Sequence, residues 1–278
     1  MAITAQAIVE RIHQKLGSGW KDPSVDTFLA GNRDSEVKGI VTTYAPSLEI
    51  LRKAVAGGKN MIISRESPFW THPVGQGAGR GAQQSMDSDL TFRTKRDYIA
   101  SNNLIVYRFR DNWNARRPNP QLQGLAKALG WEKLYKPSGG EPWARNNGFF
   151  AIPPATLKAA AQSMKKTLSV KTLRVVGDPD TRVTKAALWP GLCYVADMQK
   201  LVAEPGVDLF VIGEPYWEVL MSPYFSDVVA SGQKKGLIVL GQQVTEEPGS
   251  GEMAVWLKSL ISEVPVEWIP AGEPTWMY

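Results

Sequence analysis

Apolar residues Ile3, Ile8, Ile12 and Leu16 recur at near-helical spacing through MAITAQAIVERIHQKLG, so the chain is expected to open with an amphipathic helix. A β-like run follows around Val37 to Thr43. SLEILRKAVAGG then reads as a helix stopped by a glycine pair, and the apolar stretch of KNMIISRESPFW reads as a second strand. This strand, helix, strand order predicts parallel neighbours with chemistry at their carboxyl ends.

The segment HPVGQGAGRGAQQSMDSDL has no apolar period and is expected to be a long loop. Its alternating glycines do not make a phosphate cradle, because no strand leads directly into them and no helix opens on the last one. TFRTKRDYIASNN reads as a helix, NLIVYRFRDNWNARRPN as a third strand with a charged end, and PQLQGLAKALGW as a helix. The Gly- and Pro-bearing YKPSGGEPWARNNG breaks the pattern and suggests a domain boundary. A second α/β block is expected beyond it: helix PATLKAAAQSMKKTL, strands KTLRVVGD and KAALWPG, helix CYVADMQKLVAE, strand VDLFVIGE, a helix through Asp227 to Gly232, strand GLIVLG, helix GEMAVWLKSLISE and a closing strand in VPVEWIPAGEP.

Composition narrows the function classes. A chain of 278 residues that is 43% hydrophobic can bury a large core in one or two domains. The net charge of +5, without any run of five basic residues, gives no reason to expect nucleic acid as a partner, and no apolar run has the length of a membrane span. The one cysteine, Cys193 in LWPGLCYV, reads as a small core residue. The first residues lack the form of a secretory leader, which leaves a cytoplasmic location as the expectation, a leader removed earlier being the alternative.

Three strand ends carry clusters of charged and amide side chains: Arg65 with Glu66; Arg110 with Asp111, Asn112 and Asn114; and Gln242 with Thr245 and Glu246. One polar strand end is ordinarily a solvated loop; three together point to a site. The order of these motifs resembles the NIF-three-like family, also called dinuclear-metal-centre hexameric proteins or GTP cyclohydrolase 1 type 2 homologues. The likeness runs from VDTFLAGNRDSEVKGIVTTYAPSLEILRKAVAGGKNMIIS through NLIVYRFRDNWNA, ALGW and VDLFVIGE to GLIVLGQQVTEEPG and VEWIPAGEP.

The resemblance implies a two-domain α/β fold in which residues 136–235 form a second α/β domain inserted into a first made of 1–135 and 236–278. It also implies a toroidal homo-oligomer, a hexamer. The family's Thr-His-His/Glu-Pro motif falls on SRESP, which puts Arg65 at the first histidine and Glu66 at the second ligand position. Its His and Asp fall on Arg110 and Asn114, and its Gly-His-x-x-Ser/Thr-Glu falls on GQQVTE, so Gln242 replaces the histidine while Glu246 is retained. Arginine cannot donate to a metal and amides bind one weakly, so the ligand set of a dinuclear centre is altered.

Two expectations follow. One is a degenerate metal site that binds a small anionic ligand in a pocket between the domains, drawing on Arg65, Glu66, Arg110, Asp111, Asn112, Asn114, Gln242 and Glu246. The alternative is a metal-dependent hydrolase whose water is activated by one or two divalent ions on Glu66, Asp111 and Glu246, with His72 as a further candidate ligand. The expected cofactor is accordingly none or a single divalent ion. His13, the other histidine, lies on the polar side of the first helix and reads as structural.

Overall fold

The computed structural model describes residues 2–70, 88–136 and 147–276. Thr4 caps the first helix, α1 (Ala5–Leu16), by accepting the Ala7 N–H, and the predicted apolar stripe is buried at Ile8 and Ile12. On the polar side, the His13 ring meets Trp20 edge-on. The chain divides into two units, Met1–Arg116 with Ser250–Ala271 and Arg117–Gly249 with Gly272–Tyr278.

The first unit is built on β1 (Thr27–Ala30), β2 (Ile40–Thr43), β3 (Met61–Ser64), β4 (Ile105–Arg108) and β10 (Val266–Trp268). The sheet order is β1-β4-β3-β2-β10, with β10, β2, β3 and β4 parallel and β1 antiparallel on β4. Every residue of β2, β3 and β4 is buried, which is why these strands read as unbroken apolar runs in the sequence. Their side chains alternate between two cores. Ile40, Met61, Ile63, Ile105 and Tyr107 join α1 and the later half of α9 (Gln242–Lys258) on one face. Val41, Ile62 and Val106 join α2 (Leu48–Ala56) and α3 (Leu90–Ser101) on the other.

The second unit holds β5 (Gly148–Thr156), β6 (Arg174–Val176), β7 (Arg182–Cys193), β8 (Leu209–Pro215) and β9 (Gly236–Val239) in the order β5-β7-β8-β9-β6, with β7, β8 and β9 parallel and the two edges antiparallel. Helices α5 (Pro120–Ala128) and α6 (Leu157–Thr167) cover one face, and α7 (Val195–Val202) and α8 (Glu218–Ala230) the other. Cys193 is in the second of these cores, as its apolar neighbours suggested, and burial pushes its thiol pKa up to about 12.

The structure departs from the sequence reading in several places. The unit boundaries fall at Arg116 and Gly249 rather than near residues 135 and 236, because α5 packs onto the second sheet and β9 is an interior strand of it. The third strand stops at Arg108, and residues Asp111–Ala115 coil into a short helix, α4. Strands β1 and β5 were not foreseen, and α8 starts well before Asp227. GQQVTEEPGS is not a loop but the first part of α9, which continues through Pro248. Its glycines are contact points: a Cβ on Gly124 of α5 would lie 2.7 Å from the Gly249 nitrogen, so the helix backbones touch there. No helix among the described residues is long and apolar enough to cross a membrane.

Candidate functional site

In the first unit, parallel pairing sets Ser64 of β3 beside Arg108 of β4, so the residues that follow β3 sit against the end of β4. The ladder continues past both strands: Arg65 N–H donates to Thr43 O at 3.2 Å, Glu66 N–H to Tyr44 O at 2.9 Å, and Phe109 N–H to Ser64 O at 2.9 Å. Ser64 Oγ donates to the Glu66 carbonyl at 2.8 Å, which fixes the turn carrying Glu66.

Three guanidiniums converge on the Glu66 carboxylate. Arg65 Nη1 donates to Oε1, Arg108 Nη2 donates to Oε2 at 3.1 Å, and Arg110 Nε lies 3.7 Å from Oε1. Arg108 also donates through Nε to the Arg65 carbonyl at 3.2 Å. Arg65 and Arg108 are 3% and 1% exposed, and the Arg65 guanidinium covers the Tyr44 ring at 5.5 Å. Burial first, and then the neighbouring Arg110 and Arg65, lower the Arg108 pKa against the opposing pull of Glu66 and Asp111. It remains a cation, since arginine does not deprotonate in proteins. Arg110 differs from its neighbours. Its side chain is 26% exposed, against 4% for Arg65 and 1% for Arg108, and among the described residues its only ion pair is the 3.7 Å approach to Glu66.

The acids beside Arg110 serve the backbone. Asp26 accepts the N–H groups of Arg110 at 2.7 Å and of Asp111 and Asn112 at 2.9 Å, holding the start of α4. Asp111 accepts from Val25 N–H at 3.2 Å, and the buried Asn112 accepts from Lys21 N–H at 2.6 Å and donates to Lys21 O at 3.2 Å. Both therefore fasten the preceding segment to α4. Asn114 lies one turn along that helix, its N–H bonded to Arg110 O at 2.8 Å.

In the second unit, Gln242 and Glu246 share one face of α9, with Gln242 Nε2 donating to Glu246 Oε2 at 3.0 Å. Thr245 Oγ1 accepts from the N–H of Gly191, whose φ of 82° needs a glycine, and Glu246, 4% exposed, lies over the same glycine. A cavity of about 330 Å³ at the carboxyl ends of β8 and β9 is lined by Glu214, Gln242 and Gln243 together with Arg174 and Glu273.

Of the predicted residues, the first unit thus brings together Arg65, Glu66 and Arg110, and the second pairs Gln242 with Glu246, while Asp111 and Asn112 face structural partners. His72 and nearly all of the glycine-rich segment lie outside the described residues. The sequence reading missed Arg108 and Asp26. A signal existed for Arg108: it stands two residues before Arg110, at the spacing that puts strand side chains on one side, inside an otherwise apolar run.

These side chains do not fit the dinuclear centre that the family resemblance implies. Both Glu66 oxygens already accept from guanidiniums, and among the described residues no three His, Cys, Asp or Glu side chains are grouped to hold a metal ion.

Next to the cluster, Lys95 of α3 is buried, donates through Nζ to Pro68 O at 2.6 Å and lies 4.9 Å from the Trp70 ring. Burial lowers its pKa to about 8 from 10.5. Between those values the unfolded chain holds a proton that the folded one lacks, so Lys95 makes stability rise with pH through this window. Melting curves from pH 8 to 10 are expected to show wild type gaining relative to Lys95→Met; parallel curves would show that Lys95 titrates normally.

A mixed, mainly parallel sheet with a guanidinium–carboxylate cluster at its strand ends, in a chain that also forms a second α/β unit, defines a two-unit α/β protein with its polar chemistry where such sheets hold ligands. The chain belongs to the Duf34/NIF3 (NGG1p interacting factor 3) family, whose model matches residues 26–270. It is 21% identical over 190 residues to a GTP cyclohydrolase 1 type 2 homolog of Clostridium acetobutylicum, a match spanning 67% of this chain and 66% of that one. Its fold is similar to a Bacillus cereus protein related to NIF3, with a TM-score of 0.73 at 12% identity and 99% of each chain covered. A hypothetical protein of Staphylococcus aureus matches at 0.72, with 14% identity and 100% of each chain covered.

Proposed function

We propose that this Duf34/NIF3 protein binds a small molecule by its oxyanion, a phosphoryl or carboxylate group, at the ends of β3 and β4, with Arg110 as the contacting cation. The observation that carries this reading is the unequal use of the three arginines. Arg65 and Arg108 are buried and bonded to Glu66, whereas the Arg110 side chain is 26% exposed and comes no closer to Glu66 than 3.7 Å. A planar guanidinium in that state offers paired donors to an oxyanion. Three guanidiniums share Glu66, the one carboxylate they contact, which favours an anion over a dication there, with Asp26 and Asp111 beside Arg110 offsetting part of that charge. Two charges 4 Å apart interact by about 4 kcal/mol at an effective dielectric of 20.

The metal-dependent hydrolase reading needs carboxylates free to ligate, and Glu66 and Asp111 are both engaged by protein donors. Inorganic phosphate is the probe. At matched ionic strength it is expected to raise the melting temperature of wild type and not of Arg110→Gln, while a chelator leaves the untagged protein unchanged. Equal responses of the two proteins to phosphate, or stabilisation by a divalent ion that a chelator reverses, would overturn the reading.

A further inference from the structure

We infer that Arg108 is a positioning residue for this site: it acts through Glu66 to keep Arg110 open to an oxyanion without touching that oxyanion itself. The inference rests on the anion-binding reading of Arg110 and extends it to a residue that would otherwise pass for a buried structural cation.

Arg108 bridges two elements. Its Nε is tied to the main-chain carbonyl of Arg65 and its Nη2 to Glu66 Oε2, so the turn after β3 and the carboxylate it carries are held by one rigid fork. Arg108 is 1% exposed, so the ligand would not meet it directly. Glu66 is a flexible side chain on a turn, and its Oε1 is already bonded to Arg65. With Oε2 held by Arg108 and Oε1 by Arg65, the nearest approach of Arg110 is Nε to Oε1 at 3.7 Å, beyond hydrogen-bond distance. Arg110 is thereby kept near the carboxylate without closing onto it. Freeing Oε2 removes that restraint, because Arg110 can then form a two-bond pair with Glu66, the geometry that arginine and carboxylate prefer. An Arg110 so closed would have fewer donors left for a ligand.

The test is phosphate affinity, measured by calorimetry on wild type, Arg108→Lys, Arg108→Gln, Glu66→Gln and the double variant Arg108→Gln/Glu66→Gln, each shown by circular dichroism to be folded at the temperature used. Arg108→Gln is expected to weaken phosphate binding about tenfold, the size of one charge-assisted hydrogen bond. Arg108→Lys, which keeps the charge but cannot bridge the Arg65 carbonyl and Glu66 together, is expected to weaken it several-fold. In the Glu66→Gln background, the Arg108→Gln change is expected to have no further effect, because Arg108 acts only through Glu66.

Wild-type affinity in Arg108→Lys overturns the inference and leaves Arg108 as a bare charge. An Arg108→Gln effect that persists in Glu66→Gln overturns it too. If the Glu66 variants do not fold, the Arg108→Lys comparison decides alone. Phosphate binding that Arg110→Gln abolishes and Arg108→Lys leaves intact defeats this inference but not the site; wild type that binds no phosphate defeats both.

Discussion

Glu66→Gln is expected to destabilise the first unit by about 3–5 kcal/mol, the cost of leaving buried charges without their partner. Arg65 and Arg108 are almost wholly enclosed, and both bond directly to this carboxylate. A neutral amide can accept from one guanidinium, but it also turns its own NH₂ group toward another. For a chain of this size the loss corresponds to roughly 10 °C in melting temperature. Arg110→Gln removes a partly exposed and weakly paired cation and is expected to cost less than about 1 kcal/mol. Thermal and urea melts of the two variants check the contrast. A Glu66→Gln loss below that of Arg110→Gln would mean that the buried arginines are compensated elsewhere and that Glu66 is not the centre of the cluster.

The second large effect is expected at Gly213→Ala, which should cost about 3 kcal/mol through overpacking and displace the first turn of α9. A Cβ on Gly213 would lie 2.5 Å from the Gly191 carbonyl oxygen and 2.7 Å from its nitrogen, both backbone atoms, and 2.5 Å from Thr245 Oγ1. None of these is the yielding end of a long side chain. Gly191 sits where the pairing of β7 with β8 shifts register, so the contact belongs to an irregularity already locked between neighbours. Gly19→Ala is the control, since a Cβ there meets nothing within 4 Å. The two variants are compared by melting temperature, and by Glu246-directed readouts such as the NMR shifts of the Gln242 and Gly191 amides. Equal stability of the two would refute the close packing of α9 on β7 and β8 at Gly191 and Gly213.

Much of this architecture could be read along the chain because strands buried on both faces leave unbroken apolar runs. MIIS, IVYR, LFVIG and GLIV all became parallel strands, and Arg65, Glu66 and Arg110 stand immediately beyond two of them. The reading failed where the deciding contact is remote in sequence. GQQVTEEPGSG carries Pro248, Gly249 and Gly251 within what became α9, each unfavourable inside a helix, so local preference predicted a loop. Those glycines allow the close approaches that hold the helix: Gly249 against Gln121, and Gly251 against the Trp268 ring. Asp111 and Asn112 read as ligands for the same reason; nothing local reveals that Val25 and Lys21 return to bond them.

The sequence by itself determined the type of the strongly apolar elements, the α/β class and the strand ends at which charged groups gather, because side-chain period and burial are properties of short segments. Tertiary structure alone decided that GLIV belongs to the second sheet, where it pairs with residues 209–212 and 174–176, since an apolar strand carries no label for its partners. It also decided the fate of Arg108. A lone arginine in an apolar strand has no local reason to be buried, and it acquires one only when β3 and β4 pair in the register that sets Ser64 beside it and brings the Glu66 carboxylate within hydrogen-bond reach.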